Sequence, residues 1–393
     1  MSRLLIWSPN YAPELIGIPP LVTDAAEWLA GRGHEVDVVT AVPNYPERRI
    51  RAEYRGAIWR SATENGVHVH RSWLRVRSAE RFLDKALYEV SFATLSSPRV
   101  LARLRCADVV VCVVPSLLAA TIAATVRRRV RLVLWVQDLV GLAARSVADA
   151  PVAALGVASR LERYSAGRAD RIVVCSPGFE EHFVRLGIDP ARVETILNWV
   201  DTAAIGGDEP SPNGTLTRFL YAGNLGYTQG FETLANAAER AGAGIVVEVV
   251  GAGNAAGQVE ALGLPTRPPV PPEDFPALLS TADVHVVIQR GVAAGANLPS
   301  KIAPYLASGR PIVASLARET PAARLLEESG GALVVPAERP DLLANAMARL
   351  RDDPELRRQL GAAGRAFAIA RLDKAQALRA LEAAFLGLTD HRA

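Results

Sequence analysis

Lysine is nearly absent from this chain: Lys85, Lys301 and Lys374 are the only lysines among 44 basic residues, and the other 41 are arginine. Cysteine is equally scarce. Cys106, Cys112 and Cys175 are odd in number and lie in apolar or strand-like surroundings, which excludes a disulfide framework, fits a reducing compartment and predicts buried structural thiols. The six histidines, His34, His68, His70, His182, His285 and His391, never fall at metal-ligand spacing with cysteine or carboxylate, so no metal is expected. No G-x-S-x-G elbow and no Walker lysine occur, which removes the commonest hydrolase and nucleoside triphosphatase chemistries. No charge-free apolar run reaches about 18 residues, so no membrane-spanning helix is expected. The opening "MSRLLIWSPNYAPE" has no long apolar core after Arg3, and no signal peptide is expected. A fixed repeat of about 20–50 residues is missing too, which excludes a solenoid.

What is present is a folded composition. With 393 residues, 50% hydrophobic and 22% charged, the chain is too long for one ordinary core and suits two domains of about 150–200 residues. Its charge is uneven: residues 1–200 hold 26 Arg and Lys against 20 Asp and Glu, a net +6, whereas residues 201–393 hold 18 against 21, a net −3. A basic first half points to an anionic partner such as a phosphorylated acceptor or an acidic membrane face. It is far from the stripe of a nucleic-acid binder, so no nucleic acid is expected.

Short apolar runs alternate with longer amphipathic segments throughout. "RLLIWS", "EVDVVT", "DVVVCVV", "RLVLWVQD" and "RIVVCS" read as strands, with the helix "PPLVTDAAEWLAGRG" stopped by Gly33. After "NWVDTAAIGGDEPSPNGTLT" the pattern restarts with "RFLYAG", "IVVEVVGAG", "DVHVVIQ", "PIVAS" and "ALVVP". Strands apolar on both faces require a parallel sheet covered by helices on each side. The predicted fold is therefore α/β, two doubly wound domains facing across a cleft that would hold the ligand. The expected division is 1–201, a linker at 202–217, 218–370, and a C-terminal helix over 371–393 packing across both domains.

Several motifs stand at predicted strand ends. "YAGNLGYTQGFETLANAA" passes through Gly223, Gly226 and Gly230 into a helix, where such a loop either lies under a diphosphate or is a flexible connection. Gly251 and Gly253 in "VVEVVGAGNAAGQVEAL" either admit a phosphate or only make a tight turn, Gly257 coming one residue late for a dinucleotide fingerprint. "SPNYAPELIGIPPL" places Tyr11, Glu14 and Gly17 between a strand and a helix whose first turn takes Pro19 and Pro20. Gln137 and Asp138 end "RLVLWVQD", Asp138 being either a base or hydroxyl-orienting carboxylate or a helix cap. Asp352 and Asp353 read as a cap. Lys301, in "ANLPSKIAPYLASGRPIV", offers a compact ammonium on a flexible stem that suits a diphosphate oxygen, the alternative being surface solvation. Residues 71–105 mix Arg71, Arg75, Arg77, Arg81 and Lys85 with Trp73, Phe82, Leu83 and Phe92 at helical spacing, as either a membrane-touching helix or a solvated helix covering its own core.

Together these pieces resemble the retaining glycosyltransferases of family four, with the two-domain GT-B fold of Rossmann-like domains, and the colanic-acid-biosynthesis type among them. The matching stretches are "YAPELIGIPPLVTDAAEWLAGRGHEVDVVTAVPNYPE", "WVQDL", "ILNWVDT", "YAGNLGYTQGFETLANAA", "LPSKIAPYLASGRPIVAS" and "GGALVVPAERPDLLANAM", in order over about 340 residues. The resemblance implies a hexosyltransferase-type, metal-independent enzyme that takes a UDP- or GDP-sugar as co-substrate, with no other cofactor, and transfers the sugar with retention to a glycan, lipid-linked or small-molecule acceptor. It implies a donor site built from Gly223, Asn224, Gly226, Gln229, Gly251, Gly253, Arg290, Ala296, Asn297, Leu298, Ser300 and Lys301. Gln137 and Asp138 become the catalytic pair, and Tyr11, Glu14 and Gly17 the acceptor side. A cytoplasmic setting at the inner face of the plasma membrane follows, with peripheral contact through residues 71–105. This sequence departs from the family pattern in ways that matter. Two glutamates usual in the family correspond to Ala296 and Pro304, a histidine to Gln137, and the arginine and lysine that clamp the diphosphate to Asn224 and Gln229, with Thr228 where close relatives keep a basic residue. Lys301 is nearly the only cation left in the donor motifs, Arg290 and Arg310 being the other candidates. The competing readings are a sugar-nucleotide-binding protein without catalysis, and a sugar-nucleotide epimerase or phosphorylase on the same fold.

Overall fold

Each apolar run finds a partner strand in one of two sheets. The computed structural model describes residues 1–45, 48–56, 58–77, 82–127, 129–139, 151–206, 216–291 and 298–387. The chain forms two α/β units, one of Met1–Leu197 with Leu378–Ala393 and one of Asn198–Ala377.

The first unit holds β1 (Arg3–Trp7), β2 (Glu35–Ala41), β3 (Trp59–Glu64), β4 (Val67–Ser72), β5 (Val109–Val114), β6 (Arg131–Val136), β7 (Arg171–Val174) and β8 (Val193–Thr195). Their order is β3-β4-β2-β1-β5-β6-β7-β8, every neighbouring pair parallel except β3 with β4. The central strand β5, "VVVCVV", is buried at all six positions because helices cover both faces. Trp7 shows how one side is closed: its ring lies 6.5 Å from that of Phe92, and its indole N–H donates to Ser96 Oγ at 2.9 Å. Both Phe92 and Ser96 stand on the helix Phe82–Arg103, whose buried face is Phe92, Ala93, Ser96 and Val100. That face covers the unit's own core, while Leu83, Val90 and Leu101 on the same helix are exposed. No described helix is long and apolar enough to cross a membrane.

The second unit holds β9 (Thr217–Ala222), β10 (Ile245–Val250), β11 (Thr266–Arg267), β12 (Val284–Ile288), β13 (Ile312–Leu316) and β14 (Ala332–Pro336), all parallel in the order β11-β10-β9-β12-β13-β14. Strand order reverses between β1 and β5 in the first unit and between β9 and β12 in the second. In open α/β sheets the carboxyl ends flanking such a reversal are where ligands are held.

Three features depart from the sequence reading. The antiparallel β3 was not anticipated; it is joined to β4 by Asn65 (φ 50°) and Gly66 (φ 83°), a left-handed Asn-Gly pair that matches the natural twist of a hairpin. Cys106 is exposed rather than buried, whereas Cys112 and Cys175 are buried free thiols. The C-terminal stretch is two helices, Pro354–Arg371 and Lys374–Leu386, and residues from Leu378 onward belong to the first unit. There Glu382 accepts from Trp28 Nε1 at 3.1 Å and pairs with Arg32, and Phe385 lies edge-on to Trp135 at 5.7 Å. Of the expected linker, residues 207–215 lie outside the described residues. Asp353 does act as a cap, accepting from Leu356 N–H at 2.8 Å.

Candidate functional site

The second unit's site starts from one tyrosine pair. Tyr305, on the short helix Ile302–Ala307, donates its hydroxyl to Ala222 O at 2.9 Å and accepts from Ala222 N–H at 2.7 Å, which fixes the end of β9. His285 stacks on Tyr305 with ring centroids 4.2 Å apart, and burial pushes its pKa down to about 3, so it packs as a neutral ring. Next to Ala222, Tyr221 turns its hydroxyl to Asn224 O at 2.7 Å and its ring edge to Phe231.

Lys301 Nζ sits 3.5 Å from the centroid of that Tyr221 ring. The lysine is half-buried and, among the described residues, makes no hydrogen bond and no salt bridge. Burial lowers its pKa to about 7, because an ammonium removed from water loses hydration that the ring quadrupole replaces only in part. Surface solvation is therefore not its situation. Gly223 has φ 145°, a conformation open to glycine, and a side chain there would begin 3.1 Å from Lys301 Nζ. The glycine thus leaves the ammonium uncovered on the strand-end side.

The remaining predicted donor residues divide sharply. Gly251 and Gly253 are required by backbone contact inside the unit: a methyl at Gly251 would collide with Gly223 O, and one at Gly253 with Leu225 O. Gly223 N–H and Leu225 N–H bond to Val250 O and Ala252 O, each at 2.9 Å, so the 223–225 loop is laid directly on the turn after β10. Gln229 Oε1 accepts from Gly226 N–H at 2.8 Å and braces that turn. Asn224 and Ser300 are exposed and Leu298 is half-buried. Arg290 is paired with Glu232 at 2.5 Å, and Arg310 is buried and donates to Ser280 O at 3.0 Å, so neither guanidinium is free at the loop. Ala296 and Asn297 lie outside the described residues.

In the first unit, the carboxyl edge carries three acids. Glu14 is buried; its Oε1 accepts from Asn44 N–H and Tyr45 N–H, each at 2.7 Å, and Oε2 from Asn10 at 3.2 Å. Burial raises its pKa, these bonds opposing the shift. Glu14 therefore shapes the loop after β2. Tyr11 is buried with its hydroxyl unpartnered among the described residues, and Gly17, at φ 83°, is exposed at the start of the helix Ile18–Gly31. Asp138, just past β6, is half-buried and makes no hydrogen bond among the described residues, and burial pushes its carboxyl up to about 6. Gln137 is buried; its carbonyl accepts from Cys175 Sγ at 3.5 Å.

Sequence reading missed Glu89, which lies inside the helix Phe82–Arg103. Its Oε1 accepts from Leu118 N–H at 2.8 Å and Ser116 Oγ at 3.1 Å, capping the helix Leu117–Val126, and burial lifts its pKa to about 7. Nothing in its local sequence distinguishes it from a solvated helix residue. Tyr221 and Tyr305 were missed as well, although a tyrosine within an otherwise apolar, fully buried stretch signals a hydroxyl with a committed partner.

Two family models match the chain, a glycosyl transferase 4-like domain over residues 17–199 and a glycosyl transferase-like domain over residues 231–383. The Escherichia coli K12 protein named as the colanic acid biosynthesis glycosyl transferase WcaI is 30% identical over 362 residues, covering 84% of this chain and 88% of that protein. The chain belongs to glycosyltransferase family four. Solved structures agree on the fold of this glycosyltransferase. Sucrose-phosphate synthase of Thermosynechococcus elongatus superposes with a TM-score of 0.75 at 15% identity, over 99% of both chains. HepE of Anabaena, solved with UDP-glucose, gives 0.70 at 16% identity, over 99% of this chain and all of that one. The two Rossmann-like units are those of a GT-B glycosyltransferase. The resemblance sets Asn224 and Gln229 against the family's two clamping cations; here Asn224 is exposed and Gln229 braces a turn.

Proposed function

We propose that this glycosyltransferase takes a UDP- or GDP-linked sugar and transfers it, with retention, to a glycan or lipid-linked acceptor in polysaccharide assembly at the cytoplasmic face of the membrane. The observation that carries the donor half is Lys301: an ammonium without a counter-ion among the described residues, seated on Tyr221 and left open by Gly223 at the strand reversal of the second unit. A diphosphate brought there supplies the missing negative charge. Gly223, Leu225, Gly226 and Gln229 already spend their N–H groups on internal acceptors, whereas those of Asn224, Tyr227 and Thr228 have none among the described residues and are available to phosphate oxygens.

The chemistry asked of these groups is stabilisation of the departing nucleoside diphosphate, which needs positive charge and N–H donors rather than a metal ion. Lys301 changes protonation near neutrality, so the bound diphosphate itself draws the lysine into its charged form. Asp138, raised by burial, suits a carboxylate that orients or receives a proton from a sugar hydroxyl. HepE, crystallised with UDP-glucose, and WcaI, named for colanic acid biosynthesis, support the donor type and the polysaccharide context.

Purified protein incubated with a panel of UDP- and GDP-sugars, with membrane acceptors present, tests the reading. Donor turnover is expected for one base. Silence across the whole panel would overturn it, and crystals soaked separately with UDP and GDP would show whether Lys301 meets the phosphates.

A further inference from the structure

The first unit contains a second concentration of positive charge that the donor chemistry does not use. Arg48, Arg49, Arg55 and Arg75 line one recess of about 570 Å³ together with Trp73, and among the described residues no carboxylate lines it. The side chains of Arg49, Arg55 and Arg75 make no hydrogen bond and no salt bridge among the described residues. Elsewhere in the unit arginines do meet acids: Arg71 pairs with Glu64, Arg103 with Asp37 and Arg171 with Glu194. The like charges of Arg49, Arg55 and Arg75 around one recess repel unless an anion lies between them.

The recess is built on fixed backbone. Arg49 N–H bonds to Asn44 O at 3.1 Å, Trp73 N–H to Ile58 O at 2.7 Å and Arg75 N–H to Ser91 Oγ at 2.8 Å. Residues 48–55 follow β2 and residues 73–75 follow β4, and these two strands are parallel neighbours, so the recess lies beyond the carboxyl ends of the sheet, along the edge that carries Glu14, Glu89 and Asp138. Guanidinium forks match phosphate oxygens in pairs, and the partly exposed indole of Trp73 supplies an apolar wall beside them.

We infer that this recess is a binding site for a phosphate or diphosphate group carried on a larger ligand, separate from the donor site on the second unit. Recognition of the group itself does not depend on the glycosyl-transfer reading; identifying its carrier as the acceptor does.

The test uses the full chain without nucleotide, titrated by calorimetry with inorganic pyrophosphate and, in parallel, with dodecyl phosphate below its micelle concentration. Each titration is repeated in Lys301→Ala protein so that occupancy of the donor site is weakened. Both probes are expected to bind in that background. The double variant Arg55→Ala/Arg75→Ala should weaken binding by about tenfold or more, while Arg105→Ala/Arg185→Ala, which removes the same charge from exposed positions, should leave it unchanged. Circular dichroism of both variants confirms folding, and Arg55→Lys/Arg75→Lys should recover part of the affinity. Tighter binding of dodecyl phosphate assigns the site to an amphiphile and tighter binding of pyrophosphate to a soluble phosphate. No binding of either probe, or equal losses in both double variants, overturns the proposal. Loss of donor turnover with the recess intact would instead sink only the reading of the second unit.

Discussion

The two units end their central strands in the same way and load those ends oppositely. At the carboxyl edge of the first sheet, Glu14 and Glu89 are tied to backbone N–H groups of neighbouring loops, and their charge is spent on holding the edge in shape. At the corresponding edge of the second sheet, Lys301 rests on an aromatic face with no acid among the described residues to neutralise it. A satisfied acid tells of architecture; an unsatisfied cation tells of something that arrives from outside. Burial perturbs both, so a shifted pKa alone does not separate structure from function, but the presence or absence of an internal partner does.

Breaking the second edge should have the largest effect. Lys301→Ala removes one charge-assisted contact to the donor, and affinity for the cognate nucleotide should fall about ten- to a hundredfold; calorimetry returning the wild-type value would end the role assigned to this lysine. Gly251→Ala attacks the same edge without touching the donor, because the added methyl meets Gly223 O. Overpacking of this kind costs about 1–3 kcal/mol and should appear as a lower urea midpoint, whereas Gly257→Ala, with open space around it inside the helix Ala256–Ala261, should raise the midpoint slightly. Gradual change sharpens the comparison further. With Lys301 near 7 in the free protein, donor affinity should be level below that pH and decline above it, by up to about tenfold per pH unit, until the bound-state pKa is reached. A flat profile from pH 6 to 9 would contradict a titrating lysine in the site.

The smallest effect belongs to the first edge. Asp138 ionises near 6 in the folded protein and near 3.9 when unfolded, so between those values the folded state holds the extra proton, and stability decreases as pH rises through the window. Asp138→Asn should abolish that decrease and be more stable above pH 6 by on the order of 1 kcal/mol. Denaturation curves at pH 4 and pH 7 measure it, and an unchanged difference between the two would show that the carboxyl is solvated.

The parallel strands were legible because a run such as "VVVCVV" fits only a doubly covered sheet, and the turn glycines were legible as turns. The Asn65-Gly66 hairpin was just as visible as a local signal, but the strand it introduces, "WRSATE", is exposed along most of its length and so carries no apolar pattern. Lys301 could be singled out by its rarity and its neighbours in sequence. Its seat could not, because Tyr221 is 80 residues away and the approach of the two is set by Tyr305 clasping Ala222. The same limit hid Glu89 and the use of Gln229 as a brace: which partner a polar side chain finds is decided by packing, and that information is spread over distant segments.

The return of residues from Leu378 onward to the first unit has a consequence for synthesis. Trp28, Arg32, His34 and Trp135 emerge from the ribosome more than 200 residues before Glu382 and Phe385, which complete their surroundings. The leading unit therefore waits, with an unfilled groove, until the trailing one has been translated, and the nascent chain depends on that interval passing without the exposed groove finding another occupant.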